Sequence, residues 1–417
     1  MALLNDLPKP RECPTALPVA SMHLVVIGGR DPADSDTWSG TPRALIGALR
    51  EERHRVSTIG PLRKIDTTWP RLKAQWYSRV RAKTYLVYRD PTAIRRRAAS
   101  LAAALRALEP YDAVIAWHAA DGAIAHPSAP LIFINDAIWP QLVEGYPHYD
   151  RKRLAQSGIT GGETLDRAAL ANCDCAIYSS HWAANAARFN YGTPAEKLLV
   201  HPFGANLPLI PSDDALRQAI AERGRGPCRL LFIGLDWQRK GGDTAVAVAC
   251  ELNDRGMNCE IDIVGESPIA RLPSYARLHG PLPPGDAHAI AQRASLFMQA
   301  DFLILPTHAD CTPIVLSEAA AYGLPVATTA VGGIPELIGN SGWGKAFPSA
   351  TTSASFADWI ESGYRDRAQY DRMAWSGRHE YASRLNWSVF SRAVTRTIAD
   401  LRQSKSMAAR ASAGFSA

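Results

Sequence analysis

No run of about 18 apolar residues occurs in the 417-residue chain, so no segment reads as a membrane-spanning helix. The opening stretch MALLNDLPKPRECPTALPVASMH lacks the basic-then-apolar layout of a signal peptide, and a cytoplasmic location is expected. The seven cysteines, an odd number, include no C-x-x-C pair, which argues against a disulfide framework and for reduced thiols. None of the eleven histidines belongs to an H-E-x-x-H or comparable cluster, and no metal site is expected. Asp34-Ser35-Asp36 fits a short D-x-D metal pattern, but so little information is better read as a surface loop. A glycine turn follows the first strand without the G-x-G-x-x-G of a dinucleotide fold, and no repeat of solenoid period appears.

What is present is a soluble, globular composition, 47% hydrophobic and 21% charged, in a chain long enough for two domains. A formal net charge of +6 is too small to argue for nucleic acid. Apolar runs ending in glycine or a polar residue recur: His23 to Gly29, Tyr111 to His118, Pro130 to Ala137, Arg229 to Gly234 and Phe302 to Leu305. Unbroken apolar strands alternating with helical segments predict parallel sheets covered on both faces, hence an α/β chain of two Rossmann-like doubly wound domains. Residues 1–21 read as a flexible leader, 22–207 as the first domain and 208–385 as the second, with the Pro208-Leu209-Ile210-Pro211-Ser212 tract linking them. A helix is expected over 386–402 and a disordered tail over 403–417.

The stretch Ala300 to Ile338 organises the rest. A buried strand is ended by Pro306, a polar loop carries Asp310, and a helix bearing Glu318 is stopped by Gly323 before a second strand and the turn Val331-Gly332-Gly333. Ligands of doubly wound sheets sit at the carboxyl ends of the strands, and a helix start offers unpaired N–H groups to an anion. Glu318 lies beyond that first turn, so its carboxylate suits the hydroxyls of a ribose or sugar. Upstream, Arg239 and Lys240 stand beside Gly241-Gly242 just before another helix, where fixed cations can hold an anionic group. Two strand ends of the first domain bring His118 and Asp136 to one rim. Gly40, just before Thr41 and Pro42 at a helix start, allows close ligand approach.

Asp310-x7-Glu318-Ala319, Gly323-Leu324-Pro325-Val326 and Gly332-Gly333-Ile334-Pro335-Glu336 resemble the E-x7-E region of family 4 (group 1) retaining glycosyltransferases of the GT-B fold. The resemblance implies two such domains facing a cleft, an acceptor-side first domain, a nucleotide-sugar-binding second domain, and a C-terminal helix crossing back. It implies that Glu318 binds the nucleotide ribose and that Asp310, with Thr312, Pro313, Ile314 and Val315, meets the sugar and its phosphate. Gly40 and Thr41 would face the donor diphosphate, Arg239 and Lys240 the leaving group, and His118 and Asp136 the acceptor. Two departures stand out: Asp310 is one methylene shorter than the family's glutamate, and Leu235 occupies the place of its usual arginine.

The implied activity is metal-independent hexosyl transfer, with a nucleotide-diphosphate sugar as co-substrate and no cofactor, to a glycan, lipid-linked or small-molecule acceptor. A non-catalytic sugar-nucleotide or glycan-binding module, or an epimerase or phosphorylase of the same fold, stays open. The basic, aromatic run from Lys64 to Arg106 fits an anionic acceptor or acidic lipid head groups at the inner membrane face; the favoured reading is a solvated helical face whose long side chains shield the core.

Overall fold

In a computed structural model the chain is described over residues 20–62 and 68–414. Most of the expected leader, Lys64 and the last three residues lie outside that range. The chain divides into two compact units, one of residues up to Thr37, Thr41–His201 and Phe390 onward, the other of Trp38–Gly40 and Pro202–Val389.

The first unit holds strands β1 (His23–Ile27), β2 (Arg55–Ile59), β3 (Ala113–Trp117), β4 (Leu131–Asn135), β5 (Cys175–Tyr178) and β6 (Leu198–Val200), ordered β2-β1-β3-β4-β5-β6. The second holds β7 (Cys228–Ile233), β8 (Cys259–Val264), β9 (Ala276–Gly280), β10 (Phe302–Leu305), β11 (Val326–Thr329) and β12 (Gly344–Phe347), ordered β12-β11-β10-β7-β8-β9. All pairings within the sheets are parallel. Every residue of β3, β4, β5's Cys175–Tyr178 and β10 is buried, as strands covered on both faces require. The strand order reverses direction between β1 and β3 in one sheet and between β7 and β10 in the other. Those are the topological switch points, where such sheets open a crevice at their carboxyl ends.

The opposite, amino-terminal edge is held by an aspartate placed just before the strand. Asp112, Asp174 and Asp301 each donate their backbone N–H to the carbonyl of a residue on the adjoining strand, at 2.7, 2.9 and 2.8 Å. Each carboxylate then accepts the N–H of that same residue: His23 at 2.6 Å, Leu131 at 2.8 Å and Arg229 at 2.7 Å. Two of the three clamps, Asp112 and Asp301, join the pair of strands that flanks a switch point.

The helix starting at Trp387 does not stop at residue 402 but runs to Gly414, correcting the expected disordered tail over residues 403–414. Composition alone misleads here, because Lys405, Met407, Ala408, Ala409 and Arg410 are good helix formers with no proline among them. Arg402 pairs with Asp112 and Lys405 with Asp174, each at 2.7 Å, so the helix is fastened to two of the clamping carboxylates. A second difference concerns Trp38–Gly40, expected in the first domain. It groups with the second unit, where Asn206 Nδ2 donates to the Ser39 carbonyl at 2.8 Å.

Arg223 shows how the second unit fixes its functional helix. Buried, it donates to the carbonyls of Phe297 (3.0 Å), Tyr322 (3.1 Å) and Gly323 (2.8 Å), satisfying the carboxyl ends of helices Ala287–Gln299 and Ile314–Ala321 together. Replacing it leaves several buried acceptors unmatched, at about 1–3 kcal/mol each where water cannot reach them. Arg223→Met is expected to lower stability by about 2–4 kcal/mol, read from urea unfolding; a change within about 0.5 kcal/mol would show that the carbonyls find other donors.

Candidate active site

Three of the residues expected to carry the chemistry of the second unit, Arg239, Lys240 and Asp310, meet at the switch point between β7 and β10. β7 runs out into Gly234, where a Cβ would lie 2.8 Å from that of Lys240; the missing side chain lets the next turn fold back against the strand end. That turn is the short helix Trp237–Lys240, capped by Asp236, whose carboxylate accepts the Arg239 N–H and also pairs with Arg239 Nε, both at 3.2 Å. Gly241 follows at φ +79°, and a Cβ there would sit 2.0 Å from the Pro306 carbonyl. Only glycine permits both the left-handed conformation and that approach.

The end of β10 completes the contact. Arg239 O accepts the His308 N–H at 2.8 Å and the Thr307 hydroxyl at 3.0 Å. Arg239 Nη1 reaches Asp310 Oδ1 at 3.2 Å, and Lys240 Nζ reaches Asp310 Oδ2 at 2.7 Å. Asp310 is buried, and both cations are less than one-fifth exposed. From β11 comes the glycine turn: Gly332, at φ +56°, lies so close that a Cβ would be 2.0 Å from the Asp310 carbonyl, and the Gly333 N–H bonds Cys311 O at 2.7 Å. The aspartate loop is therefore held from three strand ends.

Thr312 and Pro313 lead into helix Ile314–Ala321, whose start no side chain caps, the arrangement that suits an anion. Ile314 is half-buried, and Val315, like every later residue of the helix, is buried. Glu318 is part of that interior. Burial pushes its carboxyl above the ordinary glutamate value, and the cation acting against the rise is Arg293, on helix Ala287–Gln299. Glu318 thus answers to a different cation from the pair on Asp310. Arg293 carries a buried Nη2 without a hydrogen-bond partner among the described residues. Sequence reading missed it, since a single arginine in an alanine-rich helix has no pattern to betray it; Thr307, a ligand of Asp310 at 3.1 Å, was missed for the same reason.

In the first unit, His118 ends β3 with φ +76°, a strained value for a residue with a side chain. Its Nδ1 accepts the Ala120 N–H at 3.3 Å, so the neutral ring carries its proton on Nε2. The Tyr88 ring meets it edge-on at 5.8 Å. One turn on, buried Asp121, which the sequence reading also overlooked, accepts the Gly29 N–H at 2.8 Å and ties the β1 glycine turn to the His118 loop. Asp136 follows β4, its N–H bonded to the Asn135 side chain at 3.0 Å. Thr41 is buried at the start of helix Thr41–Glu51, and Gly40 precedes it at φ +81° as the last residue of the Trp38–Gly40 segment. His118, Asp136 and Thr41 belong to one unit; Asp310, Arg239, Lys240, Glu318, Thr312 to Val315 and Gly40 belong to the other. Asp34 and Asp36 lie in an exposed turn, and no group of three or more His, Cys, Asp or Glu side chains suited to a metal occurs among the described residues.

Residues 227–366, which contain the Asp310 site, match the family model described as glycosyl transferases group 1. This segment belongs to the group 1 glycosyltransferases. The glycogen synthase of Mycobacterium tuberculosis is 29% identical over 187 residues, 43% of this chain and 45% of that protein. The chain spans about half the length of the curated relatives it matches first. Among solved structures, sucrose-phosphate synthase from Thermosynechococcus elongatus superimposes with a TM-score of 0.66 at 17% identity, over 92% of this chain and all of that one. Anabaena HepE, solved in complex with UDP, gives 0.61 at 15% identity over 91% of this chain and all of that one. The glycosyltransferase segment and the two six-stranded parallel sheets together give the GT-B fold.

The state of Glu318 has a measurable consequence. A carboxyl whose folded pKa is raised favours folding fully below its unfolded value near 4.5, and loses that contribution as pH rises through the folded value. Glu318→Gln is therefore expected to raise the Tm of the ligand-free protein at pH 7.5, with the gain shrinking toward pH 4.5. A Tm difference constant across that range would mean that Glu318 is not held against its ionisation.

Proposed function

We propose that this chain is a retaining glycosyltransferase that moves a hexose from a nucleoside diphosphate sugar to an acceptor hydroxyl. The observation that carries the reading is the meeting of Arg239 and Lys240 on Asp310 at the switch point of the nucleotide-type sheet, inside the segment that matches the family. Two fixed cations at that crevice suit the charge that a nucleoside diphosphate develops on leaving, with no divalent ion invoked. Glu318 takes the ribose hydroxyls, with Arg293 beside it. Asp310 and the backbone from Thr312 to Val315 take the sugar and its phosphate, and Gly40 with Thr41 the diphosphate. HepE is described in complex with UDP and with UDP-glucose, which makes a uridine diphosphate hexose the first donor to try.

In the reaction the bond from the sugar's anomeric carbon to the β-phosphate oxygen breaks, and a bond from that carbon to the acceptor oxygen forms on the same face. The acceptor's proton passes to the departing phosphate oxygen. Asp310 orients Lys240 and Arg239, and its carboxylate is free to turn to the sugar once the diphosphate takes over the two cations. His118, with its proton on Nε2, would donate to an acceptor oxygen, and Asp136 would line the same side.

One observation favours a second reading, a sugar-nucleotide-binding module without turnover: Asp310 already occupies both cations, so a diphosphate must compete for them. Thermal shift with UDP-, GDP-, ADP- and dTDP-sugars, followed by turnover assays on the donor that binds, separates the two. Lys240→Ala is expected to cut kcat by about 100-fold, the loss typical of one group that stabilises transition-state charge, whereas Glu318→Ala chiefly raises donor KM. Donor binding with no transfer or hydrolysis in the wild type would establish the module instead.

A further inference from the structure

We propose that the helix Thr68–Arg81 is a docking surface for an anionic lipid bilayer, lying flat in the head-group region. Its sequence, TWPRLKAQWYSRVR, places Trp69, Leu72, Trp76 and Val80 at intervals of three, four and four residues, which is one stripe of a helix. An ordinary surface helix turns such a stripe inward. This one does the reverse: Trp69 is 60% exposed, Leu72 51%, Trp76 48% and Val80 61%, and the only buried residue of the helix is Pro70. Among the described residues these are four of the ten large apolar side chains left exposed.

The helix is held to its unit along the flank next to the stripe. Lys73 pairs with buried Asp90 at 2.9 Å, and the Tyr77 ring stacks on Tyr85 at 5.2 Å. Asp90 also accepts from the Tyr85 hydroxyl at 2.6 Å and caps the next helix, so the attachment is firm and the stripe is left facing out.

Charge selects the occupant. Residues 67–89 contain Arg71, Lys73, Arg79, Arg81, Lys83 and Arg89 and not one acidic residue. Of these, Arg71, Arg79 and Arg81 are exposed, Arg79 on the flank of the stripe and Arg81 with its guanidinium 5.8 Å from the Trp76 ring centre, while Arg89 and the later Arg97 are buried and take no part. Exposed tryptophans bordered by arginines match the interface of an anionic membrane, where the rings sit at head-group level and the cations meet phosphate. A second protein would need a complementary acidic, apolar groove; the observations give no reason to invoke one.

The inference concerns binding alone and stands or falls separately from sugar transfer. The test is co-sedimentation of the full chain with vesicles of phosphatidylcholine alone and with added phosphatidylglycerol, at low and high salt, alongside sedimentation velocity without lipid. Binding is expected only with phosphatidylglycerol, weakened by salt, reduced about tenfold or more in Arg79→Gln/Arg81→Gln and abolished in Trp69→Ser/Trp76→Ser. Both variants should keep a Tm within about 2 °C of wild type, since the altered side chains are exposed. Equal binding to both vesicle types, no binding to either, or a lipid-free dimer that Trp69→Ser/Trp76→Ser dissolves would each overturn the proposal, the last by making the stripe an interface between copies of the chain.

Discussion

The carboxylate of Asp310, bound at once by Arg239 and Lys240, is the contact on which the second unit's crevice depends. It joins the turn after β7 to the loop after β10, two strand ends 70 residues apart in sequence that only the switch in strand order brings together. Withdrawing three charged groups this far from water costs several kcal/mol, and the cost is offset only because each group finds several partners. Arg239 also bonds the Ala309 carbonyl at 2.8 Å and Asp236, and Asp310 also accepts from Thr307. The shorter aspartate keeps its carboxylate within its own loop and over the cations. With two positive charges set against Asp310 and the more exposed Asp236, the resting crevice is close to neutral, so an arriving diphosphate must displace internal carboxylate contacts. Competition of that kind favours ligands of high charge density over neutral sugars.

Much of this was readable from residue order, and for a definite reason. Parallel strands buried on both faces must be largely apolar runs, so β3, β4, β7 and β10 announce themselves, and the loops that follow them lie at the crevice edge. His118 follows such a run directly, Asp310 stands in the polar loop beyond Pro306, and the Arg239-Lys240 pair is marked by the glycine pair and helix start beside it. Arg223, Arg293 and the three clamping aspartates carry no such mark. Their partners lie far along the chain, 72 residues away for Asp301 and Arg229 and 100 for Arg223 and Gly323, and a lone polar side chain satisfying a distant backbone leaves no period to detect. The tail was misread for the opposite reason: its polar composition resembles a disordered segment, and only the carboxylates of Asp112 and Asp174 show what holds it.

The two edges of each sheet are built by different chemistry. At the amino-terminal edge an aspartate carries out a two-way exchange with one residue of the neighbouring strand, which fixes register and leaves little room. At the carboxyl edge of the second sheet the chain turns on glycines instead: Gly241, Gly265 and Gly332 all have positive φ and lie where a Cβ would strike a carbonyl at 2.0 Å. Backbone brought that close exposes N–H groups and cations without side chains in the way, as phosphate binding requires. The amino-terminal edge is thus fixed by side-chain clamps, and the edge that forms the crevice by close backbone contacts at glycine together with the ion pairs on Asp310.

Helix Ile314–Ala321 connects these two demands. It is apolar on nearly every side, with its carboxyl end satisfied by Arg223 and its Ser317 hydroxyl bonded to Phe203 O at 3.0 Å, so it cannot readily shift or rotate. Setting Glu318 on such an element forces a carboxylate into a place that disfavours its charge, and Arg293 only partly offsets this. A core chosen for stability alone would put alanine there, as it does at the next three positions. A carboxyl held against its charge, beside an arginine whose Nη2 has no hydrogen-bond partner among the described residues, fits the ribose role proposed for Glu318: vicinal hydroxyls and an anionic neighbour would satisfy both at once.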